Sequence, residues 1–443
     1  MRRWLRRFPL HVLWLALLPV LVLLGSNLGQ VRPTVGYRAM LVVLTISLTV
    51  LLLLRLLLRD WAKAGLITSL GLLLFFSYGH AYNALRSVEI PLGRHRYLLP
   101  VAAILGAAGV WALWRRGQAF SGLTPVLNLA IGLALLIPLM QIVAFQLGWS
   151  QAAAATLPSV DTFESTELPD IYFLVLDAYT SEAVLRNTYD LDNGPFLNEL
   201  REMGFYVVDC SQANYAQTEL SLVSTLNMSY LDELIDETDS DRAQLWPLLR
   251  QSAVRLLLEQ LGYKTIAFET GYYWSEWEDA DLYLAPDRGP FQGMSAFEAT
   301  LLRSTAAWAL IDALPELPTF LVRDLDRSAD SHRERLLYVF DQLERLPSEP
   351  GPKFVFAHIV SPHRPFVFDA EGNPVDDDYD WARSNIGLDA YKAGYREQVL
   401  YVNGRIEEIV DEILERSAVP PVIVIQGDHG PEEGSSQDRM SIL

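Results

Sequence analysis

The chain has 443 residues, 51% of them hydrophobic, and a formal net charge of −19. At about 150 residues per domain, this length holds a membrane region plus one large domain. Its single cysteine, Cys210, excludes an intrachain disulfide and any cysteine-based metal site. The charge is unevenly spread: residues 1–150 carry 14 Lys and Arg against Asp60 and Glu89, a balance of +12, which leaves −31 for residues 151–443. So acidic a surface repels polyanions, and nucleic acid is not an expected partner.

Four arginines, Arg2, Arg3, Arg6 and Arg7, precede an apolar run that starts at Pro9. The run is about 19 residues long and further apolar stretches follow, which predicts a retained span rather than a cleaved signal peptide. Spans are predicted near 9–28, 38–58, 64–84, 97–114 and 125–148. Positive charge sorts their connections nine against five, which puts the N-terminus inside and everything after Trp149 outside the cytoplasm. No span carries the paired interior charges of a proton or ion pathway, so a transporter is disfavoured. His80 is expected at the water boundary of the third span.

Residues 150–169 lose the apolar pattern and read as a linker, and an α/β domain follows over 170–443. Strands are predicted at 171–176, 205–208, 263–268, 354–360 and 422–426. Helices are predicted near 195–203, 246–261 and 390–416. Strands alternating with helices predict a mostly parallel sheet covered on both faces. Residues 275–345 read as a helical insertion.

Three predicted strands end in potential ligands: Asp177 after IYFLVL, His363 after FVFAHIVSP, and Asp428-His429 after VIVIQG. A parallel sheet gathers such ends on one edge, where ligands bind. Taken alone, the Asp-His-Gly sequence fits a polar turn equally well. In NYAQTELSLVS, Thr218 falls at the start of a predicted helix with Ser221 and Ser224 on its face. The free N–H groups there favour an anion, although Thr218 reads equally well as an N-cap. Arg364 offers a cation for a phosphate or sulfate. His358, inside a strand, is expected in the core or behind a ligand, and His332, in SADSHRER, on the solvated surface. Glu269 ends a further strand at the same edge. Tyr272, Tyr273, Trp274 and Trp277 are expected to pack.

The ordered set IYFLVLDAYTS, NYAQTELSLVS, HIVSPHRPF and IQGDHG resembles the alkaline phosphatase/sulfatase superfamily, most closely the membrane-anchored branch with lipoteichoic acid synthases and phosphoethanolamine transferases. The resemblance implies an alkaline-phosphatase-like fold and a divalent metal held by Asp177, Thr218, Asp428 and His429. It further implies Thr218 as nucleophile and His363 on the transferred group. Two carboxylates and an imidazole suit Zn²⁺ or Mn²⁺. The expected activity is phosphoryl transfer or phosphoester hydrolysis on a lipid-linked or envelope substrate, with membrane lipids as partners. The alternatives are sulfate-ester hydrolysis or an inactive membrane scaffold. Two features depart from the family. The C/S-x-P-x-R motif of sulfatases is replaced by Thr218-Glu219-Leu220-Ser221-Leu222, and only 14 residues follow His429, so the domain is expected to be incomplete at its C-terminus.

Overall fold

The computed structural model describes residues 8–28, 31–87, 94–116, 120, 122–149, 168–235, 242–287, 295–312, 328–375, 387–431 and 436–443. Most of the predicted linker, 150–167, lies outside the described residues. In chain order the elements are α1 (His11–Ser26), α2 (Gly36–Leu58), α3 (Trp61–Ser87), α4 (His95–Arg116), α5 (Leu123–Trp149), β1 (Ile171–Leu176), α6 (Glu182–Tyr189), α7 (Gly194–Glu202), α8 (Thr218–Asn227), α9 (Leu231–Leu234), α10 (Leu245–Arg250), α11 (Ala253–Gln260), β2 (Lys264–Phe268), β3 (Leu282–Leu284), α12 (Ala296–Arg303), α13 (Ala306–Asp312), α14 (Ser328–Arg345), β4 (Lys353–Ile359), α15 (Leu388–Arg416), β5 (Val422–Gly427) and α16 (Ser436–Met440). They form two compact units, Met1–Gly148 with Gln292–Ser328, and Trp149–Phe291 with Ala329–Leu443.

In the first unit, all five predicted spans are helical. Among the described residues, α2 to α5 are long and apolar enough to cross a membrane. Helix α1 is apolar but has only 16 residues, short of the roughly 20 that span a bilayer. Leu41, Leu53, Leu56 and Leu57 face outward on α2, as residues solvated by lipid tails do. Helix α12 belongs to this unit: Ser295 and Glu298 form a capping box, and the Glu298 carboxylate pairs with Arg38 of α2.

The second unit is built on a five-stranded parallel sheet in the order β3-β2-β4-β1-β5. Strand β4 is buried along all seven residues, as a central strand covered on both faces must be. Each such apolar side chain contributes roughly 1.5–3 kcal/mol. Lys353 is buried too, and its ammonium pairs with Asp170; removing the carboxylate would strand a charge at a cost of about 3–5 kcal/mol. Trp277 is fully buried and stacks on Phe356 with ring centroids 4.5 Å apart, so this part of the aromatic cluster does pack.

Three expectations fail here. Residues 205–208 form no strand. Their β-branched and aromatic pattern has no partner to pair with, and they border a cavity of about 470 Å³ whose other wall is β5. The helix predicted over 246–261 is two helices, because Ser252 adopts extended backbone and caps α11 by accepting from Arg255 N. Strand β3, inside the stretch read as helical insertion, pairs parallel with β2.

Candidate metal and phosphoryl site

Sheet register assembles the site. Leu176 of β1 is in register with Ile359 of β4 and Gly427 of β5, so the residues that follow emerge side by side. The Asp177 N–H donates to Ile359 O (2.9 Å), and the His363 N–H donates back to Asp177 O (3.0 Å). Ala178 takes a left-handed φ of 62° and its N–H donates to Asp428 Oδ1 at 2.9 Å. Gly427 makes this approach feasible, since a Cβ there would sit 2.2 Å from Tyr179 O. Helix α15 fixes both loops: the Tyr395 hydroxyl donates to Ala178 O (2.7 Å), and Gln398 Nε2 donates to His363 O (3.1 Å).

Ligand atoms of Asp177, Asp428 and His429 all lie within 4.8 Å of one another, and all three residues are buried. His429 donates its Nδ1 proton to Gly430 O at 2.6 Å, which leaves Nε2 as the acceptor nitrogen. That nitrogen stands 3.0 Å from Thr218 Oγ1, 3.5 Å from Asp428 Oδ2 and 3.8 Å from Asp177 Oδ1. Asp177 Oδ1 and Asp428 Oδ2 are buried with no hydrogen-bond partner. Two orphaned carboxylate oxygens converging on an imidazole lone pair and a hydroxyl form a donor set that fits a divalent cation, because burial of such groups otherwise goes uncompensated. Thr218 opens α8 as its first residue, the N-cap position being held by Gln217. Ser221 and Ser224 are buried along the same helix, with Ser224 donating to Ser229 O. Arg439, in the last turn of α16, holds the approach to α8 by donating to Ala216 O (3.0 Å).

The two carboxyls are driven apart. Burial pushes Asp177 upward, but the neighbouring imidazoles of His363, His358 and His429 outweigh it and hold the group well below the carboxylate range. Asp428 is pushed up, by burial first and then by the Asp177 charge. One site thus holds two buried carboxyls whose acidities are shifted in opposite directions.

On the other side of Asp177, His358 is buried in β4, with its Nε2 3.2 Å from Asp177 Oδ2. His363 Nδ1 donates to Arg364 O at 2.6 Å. The Arg364 guanidinium lies over the Tyr391 ring, 5.5 Å from its centroid. Glu269 is outside the cluster, its N–H bonded to Leu284 O (2.9 Å). His332 is not on the surface. It is 4% exposed, its ring hydrogen-bonds the Val360 carbonyl, and burial, Arg335 and His363 push its imidazole well below the ordinary value. The charged neighbours that suggested solvent lie on other faces of α14. A period of 3.6 residues joins His332 to the buried Leu336, Val339 and Phe340, a stripe readable in the sequence.

No protein-family profile and no curated protein matches the chain. Among solved structures, the zinc complex of the C-terminal periplasmic domain of EcEptC from Escherichia coli is similar at 14% identity, over 65% of this chain and 72% of that one, with a TM-score of 0.38. The lipooligosaccharide phosphoethanolamine transferase EptA from Neisseria meningitidis, an integral membrane protein, is similar at 13% identity over 98% and 85%, with a TM-score of 0.38. A 2-O GAG sulfatase, BT1596, is similar at 13% identity over 62% and 63%, with a TM-score of 0.37. The chain resembles the sulfatase-like alkaline phosphatase superfamily. Its motifs carry that resemblance, and the residues they contain are those gathered at this sheet edge.

Proposed function

We propose that the protein is a membrane-anchored, divalent-metal-dependent phosphoryl-group transferase or phosphoester hydrolase of this superfamily. Its anchor would comprise residues 1–149 with five spans, joined through the linker 150–169 to a catalytic domain over 170–443 that acts outside the cytoplasm on a lipid-linked or envelope substrate. The observation that carries this reading is the convergence of Asp177 Oδ1, Asp428 Oδ2, His429 Nε2 and Thr218 Oγ1, from three separate chain segments, on one buried point.

Asp177, Asp428, His429 and Thr218 would hold Zn²⁺ or Mn²⁺. Such an ion supplies charge that stabilises an alkoxide at neutral pH and the phosphoryl oxygens during displacement. Thr218 Oγ1 attacks phosphorus, so that an Oγ–P bond forms and the bond to the leaving oxygen breaks, the hydroxyl proton going to the departing alkoxide. Water or an acceptor hydroxyl then attacks the phosphothreonine, restoring Thr218 and releasing the phosphoryl product. The free N–H groups at the start of α8 favour the non-bridging oxygens, and His363 and Arg364 contact the transferred group. Without the C/S-x-P-x-R motif, Thr218 takes the place that formylglycine has in sulfatases.

The test is hydrolysis of a generic phosphodiester by the purified full chain in detergent. The expected result is turnover that chelation abolishes and Zn²⁺ or Mn²⁺ restores. Turnover indifferent to chelation overturns metal dependence, and a folded chain that neither turns over nor binds metal is a binding protein instead.

A further inference from the structure

Glu219 is the second residue of α8, directly after Thr218. A helix leaves its first N–H groups without acceptors of its own and gathers positive charge there, so an acidic side chain in the first turn is drawn to them. Glu219 is held elsewhere. Arg242 lies in the 3₁₀ turn Arg242–Gln244 that leads into α10, and its Nη1 donates to Glu219 Oε2 at 3.2 Å. The Trp246 Nε1–H of α10 donates to Glu219 Oε1 at 3.5 Å. Both carboxylate oxygens are thus engaged from the α10 side.

The same guanidinium donates from Nη2 to Gln217 Oε1 at 2.6 Å. Gln217 occupies the N-cap position in extended backbone, and its side chain makes no cap hydrogen bond to the helix. A guanidinium presents its donors in a fixed fork, so one arginine can hold two partners. The two side chains that flank Thr218, and that could close over the head of α8, are therefore both taken by Arg242. The head kept open in this way carries Thr218 Oγ1, 3.0 Å from His429 Nε2 and beside the unpartnered buried oxygens of Asp177 and Asp428. With the Arg242 side chain 53% exposed, the ion pair is screened and adds little to folding stability. Its effect lies in the charge next to the reacting oxygen.

We propose that Arg242 is a positioning residue for phosphoryl binding, an inference that rests on the phosphoryl-transfer reading above. By holding Glu219 and Gln217 off the head of α8, it leaves those N–H groups to the non-bridging oxygens of an anionic substrate. Its charge also offsets the Glu219 carboxylate that an incoming phosphoryl group would otherwise meet, an effect that grows with the negative charge of the substrate.

The test uses the full chain in detergent, loaded with Zn²⁺, and two probes of different charge: p-nitrophenyl phosphate, a dianionic monoester, and bis(p-nitrophenyl) phosphate, a monoanionic diester. Binding of inorganic phosphate and of Zn²⁺ is followed by calorimetry. Arg242→Ala is expected to raise KM for the diester and weaken inorganic phosphate at least about tenfold, with kcat and Zn²⁺ affinity within about threefold of the parent. The rise in KM is larger for the monoester. Adding Glu219→Gln to Arg242→Ala is expected to bring KM back to within about threefold of the parent, because the uncompensated charge is gone. Parent KM and phosphate affinity in Arg242→Ala, equal penalties for the two esters, or a double variant no better than Arg242→Ala each overturn the role of Arg242 and leave metal-dependent turnover standing. A parent that neither turns over an ester nor binds phosphate overturns the phosphoryl-transfer reading itself. Should Arg242→Ala not fold, Arg242→Gln with and without Glu219→Gln decides by the same outcomes.

Discussion

The two sides of the site differ in kind. On the side of β5 and α8, Asp428, His429 and Thr218 bring a carboxyl, an imidazole and a hydroxyl to the shared oxygen of Asp177. On the side of β4 and α14 stand imidazoles: His358 at 3.2 Å from Asp177, with those of His363 and His332 near enough to act on its charge. The consequence is visible in the acids themselves. Asp177, which meets both sides, is held ionised, whereas Asp428, which meets Asp177 and burial, is pushed toward its neutral form. The two buried carboxyls are thus shifted in opposite directions by their surroundings.

The largest break in this comparison is Asp428→Ala, which removes a ligand from the acidic side. Calorimetric affinity for Zn²⁺ is expected to fall by a factor of at least about 100, with folding retained by circular dichroism. On the imidazole side, His358→Ala leaves every proposed ligand in place but frees the Asp177 carboxylate, and the expected loss of affinity is about 10-fold to 100-fold. An unchanged affinity would show that His358 does not position Asp177.

Acidity sharpens the same contrast. Asp428 faces Asp177, His429, His358 and the Ala178 N–H. Its folded pKa is raised, so it favours folding below its unfolded pKa of about 3.9, and this contribution is lost as pH rises through the folded pKa. Cation binding competes with protonation of this carboxyl. Metal affinity should therefore fall as pH drops through that raised pKa, by up to about tenfold per pH unit for this one group. Asp177, depressed, contributes stability above about pH 3.9 that is lost only in stronger acid. Metal removal should lower the melting temperature: at 100 times the dissociation constant, a bound ion is worth about 2.7 kcal/mol. The smallest expected effect is Tyr206→Ser. Its side chain is 91% exposed and borders the cavity beside β5, so stability by denaturant titration should change by no more than about 0.5 kcal/mol.

What was legible in the sequence follows from what sheet register does. Asp177 and Asp428-His429 directly follow apolar runs rich in β-branched residues that read as strands; the second, expected buried, is the edge strand with Val422 and Val424 exposed, and parallel pairing with β1 still fixes their meeting. From its own residues Thr218 was legible as a helix start, and it took the family resemblance to set it beside His429, because that 3.0 Å approach depends on the C-terminal segment holding the loop before α8. His332 was misread because its immediate neighbours are charged, whereas burial on a helix is decided three and four residues away. The strand expected at 205–208 had the right residues and no partner, and strand formation is a property of pairs.

The central claim is that Thr218 is the attacking group. The most direct measurement is to quench the metal-loaded chain during turnover of a generic phosphodiester and weigh the peptide that contains Thr218. Added phosphoryl mass is expected on that peptide, absent after chelation, with a loss of turnover in Thr218→Ala of at least about 1,000-fold, or roughly 4 kcal/mol, and a loss of metal affinity of about 10-fold to 100-fold. Turnover of Thr218→Ala at the parent rate would contradict it.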